Sequence, residues 1–254
     1  MRVLFWTTIG LFVIVTTLIM AMQGFSLLAG DDQSILFVSR SRSAYRIYLA
    51  DVNQGLRINL MQNSFLAGES VWSPDHRNLT FVTYGDVLEG DREIYLADVD
   101  TQAIFNLSIH PGSDHSPVWS PDSTRIAFVS ERDGNNEIYV VNVNGQNLRN
   151  LTNHPGPDQE PQWSPDGTMI AFISQRDGNQ DIFVMNADGN NPRNLTHRPA
   201  YDYAFVWSPD SRMIAFTSQH HGNRDIYVAN VHSQQLHKLS DALDSEINVV
   251  WSGD

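Results

Sequence analysis

One phrase constrains this chain more than anything else in it. WSPDGTMIAFISQRDGNQDIFVMNADGNNPRNLT, residues 163–196, is written again and again with small changes. Trp72, Trp119, Trp163, Trp207 and Trp251 mark the copies, at intervals of 47, 44, 44 and 44 residues. A period of about 40–45 residues is that of a four-stranded propeller blade. An earlier copy without its tryptophan segment, SILFVSRSRSAYRIYLADVNQGLRINL, runs from Ser34 to Leu60. Each unit reads as four short strands, A to D, rich in aromatic and β-branched residues and separated by turn chemistry. SPDG joins A to B, RDGN joins B to C, and VNGQN or ADGNN joins C to D. Asn-Gly and Asp-Gly pairs supply the positive-φ positions that tight hairpins need. Past residue 30 no window spaces its apolar residues as a helix does, so the fold class is all-β.

A single blade cannot bury both faces, so blades must stack about an axis. Strands B, C and D occur five times, with B starting at Ile35, Leu79, Ile126, Ile170 and Ile214. Strand A also occurs five times, but displaced: the first B–C–D set has none before it, and the last, INVVWS, has no B after it. This predicts a β-propeller of five four-stranded blades in which the C-terminal strand, Ile247 to Val250, completes the first blade and removes two open edges. The other architecture that fits is a six-bladed ring cut short.

Those residues carry a resemblance. The repeat resembles that of TolB-type β-propellers, WD-repeat-like units of bacterial proteins, over residues 34–254. TolB itself is six-bladed and preceded by a small α/β domain, and this sequence shows neither feature. The resemblance therefore implies the architecture and a role as an interaction scaffold, without naming a partner.

Residues 3–22, VLFWTTIGLFVIVTTLIMAM, carry no charge and match the thickness of a bilayer's hydrocarbon core. Residues 1–30 are read as a transmembrane helix serving as anchor, with a cleaved signal peptide as the alternative, and 31–254 as the propeller domain. Arg2 before the span and Asp31 and Asp32 after it favour a cytoplasmic N-terminus. The expected localisation is a single-pass membrane protein with its propeller outside the cytoplasm, periplasmic or at the cell surface. Cysteine is absent from the sequence, which leaves no disulfide and no lipid-modified N-terminus. A net charge of −13, with Lys238 the single lysine, argues against nucleic acid or anionic lipid as a partner. Asn78, Asn106, Asn150 and Asn194 begin N-x-S/T triplets at repeat positions, so glycosylation is not expected.

In a repeat protein the shared positions build the scaffold and the deviations carry individuality. The tryptophans, recurring before Ser-Pro, read as packing between blades. RDGN offers Asp133, Asn135 and Glu137 at alternate positions, a fragment of a calcium loop without the remaining ligands. Five residues before each tryptophan stand Ala67, Asp114, Asp158, Asp202 and Glu246, with Glu69 and Glu160 three before theirs. At the start of the innermost strand, Asp114, Asp158, Asp202, Glu246 and Glu160 would form a rim at the channel mouth. Either each is satisfied locally by backbone N–H groups, or the rim binds a calcium ion or a basic peptide segment. No other cofactor is implied and no metal site is assigned. The loop histidines His110, His154 and His197 are not spaced as a compact ligand set. Blade two carries a three-residue insertion before Arg92. Blade one places Arg40, Arg42 and Arg46 in its B–C region, and blade five places His220, His221 and Arg224 there. If the ring closes, these six form one basic sector that would steer an acidic or phosphorylated partner.

Neither a G-x-S-x-G nor an H-E-x-x-H motif occurs. The expected function is a membrane-tethered, extracytoplasmic scaffold for an envelope or extracellular protein or peptide, not an enzyme. The alternative is a channel-mouth carboxylate enzyme, such as a glycosidase acting on envelope or extracellular glycans.

Overall fold

The computed structural model describes residues 34–40, 45–51, 57–59, 66–84, 92–98, 101, 103–240 and 249–252, with strand side chains before residue 69 left aside except Tyr48. Nineteen strands and no helix are found among them. The first sheet is three-stranded: β1 (Ser34–Arg40), β2 (Tyr45–Asp51) and β3 (Arg57–Asn59). Four four-stranded sheets follow in chain order. Blade two is β4 (Leu66–Trp72), β5 (Asn78–Tyr84), β6 (Arg92–Asp98) and β7 (Ile104–Asn106). Blade three is β8 (Asp114–Trp119), β9 (Arg125–Ser130), β10 (Glu137–Asn142) and β11 (Arg149–Asn150). Blade four is β12 (Asp158–Trp163), β13 (Met169–Ser174), β14 (Asp181–Asn186) and β15 (Arg193–Asn194). Blade five is β16 (Tyr201–Trp207), β17 (Met213–His220), β18 (Asn223–Asn230) and β19 (Leu236–Lys238). Every neighbouring pair is antiparallel, and each sheet is a meander of the kind the repeat predicts.

The A–B turn shows why Ser-Pro-Asp recurs. Ser164 Oγ donates to Asp166 Oδ1 at 2.6 Å and accepts the Met169 N–H at 2.9 Å, while Asp166 Oδ1 accepts the Thr168 N–H. The next turn position has positive φ in all four copies, yet only Gly167 is a glycine there. His76, Ser123 and Ser211 take φ of 61°, 59° and 62°. Two of them use the side chain that glycine lacks: Ser123 Oγ accepts the Asp75 N–H and Ser211 Oγ the Asp166 N–H, each from the preceding blade.

Apolar side chains fill the spaces between blades. Between blades three and four, Ala127, Ile138, Val140 and Leu151 face Trp163, Ile170, Phe172, Phe183 and Met185. The same positions meet between blades two and three and between four and five. Four tryptophans cross to the preceding blade. The indole N–H of Trp119 donates to Val71 O at 3.1 Å, Trp163 to Val118 O at 3.3 Å, Trp207 to Gln162 O at 3.3 Å and Trp251 to Val206 O at 3.2 Å.

Trp251 thus docks on blade five as a following strand A would. Residues 249–252 nevertheless belong to no strand, whereas Trp119, Trp163 and Trp207 each pair with a strand B. Residues 241–248, which include the first two residues of the expected closing strand, lie outside the described residues, as does the expected anchor at residues 3–22. No helix among the described residues is long and apolar enough to cross a membrane.

Trp163→Phe keeps the packing and removes the indole donor, leaving Val118 O without that bond. The expected cost is about 1 kcal/mol. Trp163→Ala also opens a cavity and should cost about 3–5 kcal/mol. Urea denaturation measures both.

Candidate functional site

Asp114 and Asp158 begin strands β8 and β12, and Asp202 is the second residue of β16; they lie opposite Ser130, Ser174 and Ser218. All three are fully buried. Burial of a carboxylate requires a partner, and the partner is a guanidinium. Arg132 Nη2 lies 3.2 Å from Asp114 and Arg176 Nη2 lies 2.7 Å from Asp158. Each arginine donates Nε–H to the serine across the ladder, at 2.7 and 3.0 Å. Each also lies over an aromatic ring, Arg132 at 4.6 Å from Tyr139 and Arg176 at 4.9 Å from Phe183. The B–C loop therefore does more than reverse the chain. It delivers a cation into the blade.

Blade five builds the same unit from the opposite side. His220 occupies the Arg132 and Arg176 position, and Arg198 occupies that of His110 and His154. Arg198 Nη2 reaches Asp202 at 3.4 Å and Ser218 Oγ at 2.9 Å, with its guanidinium 3.9 Å from the Tyr227 ring centre. Released from this duty, His220 extends β17, and His221-Gly222 forms a two-residue hairpin turn with φ of 50° and 88°. In blades three and four the D–A loop instead folds tightly over the arginine backbone. His154 Nδ1 accepts the Gly156 N–H, and a Cβ on Gly156 would sit 3.0 Å from Arg176 Cα. Blade two has Ala67 and Thr83 at the Asp and Ser positions, so its unit lacks the carboxylate.

A second set of carboxylates starts the C strands. Glu137 accepts from Thr152 Oγ1, the His154 N–H and Asn135 Nδ2, and Asp181 from Asn179, Asn194 and Thr196. Glu93 accepts from Asn106 and Ser108. In blade five Lys238 stands where the asparagine would be and pairs with Asp225 at 3.2 Å. These contacts give the N-x-S/T triplets a structural purpose. The side-chain amides of Asn106, Asn150 and Asn194 face carboxylates of their own blades.

The expected channel-mouth rim is corrected by this placement. Asp114, Asp158 and Asp202 point into the blades, where a paired guanidinium is electrostatically cheaper than a ring of mutually repelling carboxylates. Among the described residues no group of three or more His, Asp or Glu is placed to hold a metal ion. Glu246 lies outside the described residues. Glu160 is different. It occupies the bulge of β12 at φ 54°, equivalent to Ser116 and Ala204 in β8 and β16. Its carboxyl meets solvent while protein surrounds it, and this desolvation raises its pKa. Its counterpart Glu69 accepts the Ser116 N–H of the next blade at 2.9 Å. Nearby His115 has its pKa lowered by burial and by Arg92. Of the basic sector, His220 and His221 are exposed with ring centres 4.0 Å apart, and Arg224 is half-buried. Arg42 lies outside the described residues, and Arg40 and Arg46 are placed only as backbone positions on β1 and β2. Their meeting with blade five is therefore not part of the described structure.

Burial is the largest influence on Asp158 and Asp202 and raises the pKa of both, despite Ser174, Ser218 and the guanidinium groups. In Asp122 and Asp166 partial burial opposes ionisation most strongly. Yet the Ser120 or Ser164 hydroxyl and the following threonine together bring the pKa below 3.8. The signs differ. A raised carboxyl opposes folding above its folded pKa and is relieved as pH falls through it. A lowered one stabilises above 3.8 and loses that contribution as pH falls through its folded pKa.

Comparison with known proteins follows the same geometry. Residues 32–246 match the TolB beta propeller domain family. No curated protein matches the chain. Among solved structures, TolB from Acinetobacter baumannii aligns with 23% identity and a TM-score of 0.61, covering 86% of this chain and 56% of that one. This chain thus spans little more than half of that TolB. Oligogalacturonate lyase from Vibrio parahaemolyticus aligns at 17% and 0.64, covering 81% and 61%. A puromycin-hydrolyzing peptidase from Mycobacterium tuberculosis aligns at 16% and 0.62, covering 85% and 39%. At these identities the likeness is one of fold.

Two stability measurements follow from the buried pairs and turns. Arg176→Leu strands the Asp158 carboxylate and should cost about 3–5 kcal/mol, much of which Asp158→Leu with Arg176→Leu should recover. Asp166→Ala should cost about 0.5–1 kcal/mol at pH 7, a figure reduced for its exposure. That difference from wild type should shrink as pH falls below 3.8 and through the lowered folded pKa of Asp166, where the wild-type turn itself becomes protonated. Urea titrations across pH read both.

Proposed function

The chain belongs to the TolB beta propeller domain family, and from that premise we propose that it works as a binding platform. In this reading residues 3–22 tether the propeller to a membrane, the blades lie outside the cytoplasm, and exposed loops hold a protein or peptide. One observation carries it: the carboxylates expected at the channel mouth are, in blades three to five, spent inside the blades. Asp114, Asp158 and Asp202 have no exposed surface and each faces an arginine. Residues that differ between blades also meet solvent, among them Ile109, Tyr201 and the His220-His221 hairpin. Ile109 has 76% exposure and φ of 41°, strained for a β-branched residue, where the equivalent residues are Asn153 and His197. Loops of this kind carry recognition on a rigid scaffold.

A second reading rests on Glu160. A carboxyl with a raised pKa, exposed at the bulge of β12, suits a general acid. Glycoside cleavage would then need a second carboxylate about 5–9.5 Å away, and Glu69 is the repeat-equivalent residue.

Cross-linking capture from an envelope extract, with wild type beside a His220→Glu, His221→Glu, Arg224→Glu variant, tests the platform. The expected result is a partner held by wild type and lost or weakened in the variant. A panel of glycan and ester substrates tests the enzyme. Turnover abolished by Glu160→Gln would overturn the platform reading.

A further inference from the structure

At two seams the residue before the D-strand asparagine reaches the C–D turn of the next blade. Phe105 of blade two lies beside Gly145 of blade three, where an added Cβ would stand 4.0 Å from its ring. Arg193 of blade four donates from Nη2 to Val231 O of blade five at 2.8 Å. The seam between blades three and four is made differently. Arg149 holds the equivalent position, but the carbonyl equivalent to Val231 O, that of Ala187, accepts from Nη1 of Arg125 at 3.5 Å. Arg125 stands where blades two, four and five have Asn78, Met169 and Met213, and its guanidinium lies 4.6 Å from the Trp163 ring centre. Arg149 is left exposed.

Both arginines line a cavity of about 440 Å³ at this seam, together with Val140, Asn142, Asn147 and Leu148. Small-ligand sites span about 300–1,000 Å³. The ladder explains the grouping. Arg125 is paired with Asn142 and Arg149 with Val140, and cross-strand partners share a face. That face is the one packed on blade four. Asp122 and Asp188 feel the charges of Arg125 and Arg149, but their oxygens are engaged within their own turns. Asp122 accepts from Ser120 and Thr124, and Asp188 from the backbone and side-chain amides of Asn190. Among the described residues neither arginine forms an ion pair, and the side chains of Asn142, Asn147 and Arg149 make no hydrogen bond.

We propose that this cavity binds the carboxyl-terminal end of a peptide whose last residue is aliphatic. The site goes beyond the platform reading. It lies at the end of the blades that carries the A–B and C–D turns, opposite the B–C and D–A loops. Its ligand follows from its wall. Guanidinium groups pair with carboxylates in a planar fork. Val140 and Leu148 make part of the wall apolar, which disfavours a strongly hydrated dianion such as phosphate. It suits a carboxylate beside an aliphatic side chain, and a chain terminus carries both on one carbon. The primary amides of Asn142 and Asn147 each offer donors and an acceptor, the complement of a peptide N–H and C=O. On a chain of charge −13, two arginines without ion pairs are a local exception. They would draw a single carboxylate, while the surrounding field would repel an extensively acidic partner.

The probe is a labelled pentapeptide, Ser-Gly-Ser-Ala-Val with a free carboxylate, titrated against the full chain in mild detergent by fluorescence anisotropy. Its control is the same peptide amidated at the C-terminus. The expected result is saturable binding of the free acid and binding about tenfold weaker or worse by the amide. Arg149→Ala and Arg125→Met should each weaken the free acid to a similar degree. The second substitution introduces the side chain that blades four and five already hold at this position. Arg212→Ala, at an exposed turn of blade five, should leave binding unchanged. Arg149→Ala should melt as wild type does, because the side chain is exposed, so weaker binding there reads the site and not the fold. Equal binding of acid and amide, no binding of either, or full binding by Arg149→Ala overturns the proposal. So does displacement of the peptide by an equal concentration of inorganic phosphate, which would make the cavity a general anion site. An amidated peptide with an internal glutamate that binds as well as the free acid overturns the terminal assignment.

Discussion

The indole of one blade hydrogen-bonded to a carbonyl of the blade before it is the contact on which the fold turns. A four-stranded sheet of this size has two apolar faces and no means of burying either alone. Val118, Trp163 and the aliphatic residues around them solve the problem for two blades at once. Because the three seams from blade two to blade five use the same bond, and Trp251 repeats it on blade five, 3.1 to 3.3 Å long in all four instances, blades three to five each inherit their position from the blade before. The tryptophan is large enough to fill the wedge and has one donor to place. That donor fixes the seam's register in a way apolar packing alone would not.

Within blades the organising contact is electrostatic. Burying Asp114, Asp158 and Asp202 is costly, and an arginine stacked on an aromatic ring offsets that cost. Such pairs seldom add much net stability over an apolar core, but they penalise any arrangement that separates them. Blade five shows that the constraint concerns the carboxylate's surroundings and not the origin of its partner. Arg198 comes from the loop before the blade and Arg132 from the loop within it, yet both reach an aspartate, a serine and an aromatic ring. The exchange frees the B–C connection of blade five to become a longer hairpin that presents two histidines.

The same repetition makes departures legible. Arg149 would attract no notice as a lone exposed arginine, because charged residues are mostly exposed. It matters because its equivalent Arg193 is bonded across the next seam, while Arg125 holds the carbonyl equivalent to that partner. Glu160 matters likewise, as a carboxylate at a bulge where the other blades have serine, alanine and a glutamate bound to its neighbour's backbone.

The all-β class, the strand order within each blade, the turn positions and the tryptophan seams are all legible in the amino-acid sequence. All of these depend on local chemistry repeated at a fixed interval. The family was readable from WSPDG and RDGN for the same reason. It also held a signal that went unread: histidine and arginine exchange places between His154 with Arg176 and Arg198 with His220, which betrays a shared partner. What the aspartates do is settled by folding, because whether a residue at the start of a strand faces a channel or an arginine depends on packing between elements about twenty residues apart. Folding likewise sets Arg149 apart from Arg193, since a partner carbonyl is conferred by the neighbouring blade and is not written in the residue that receives it.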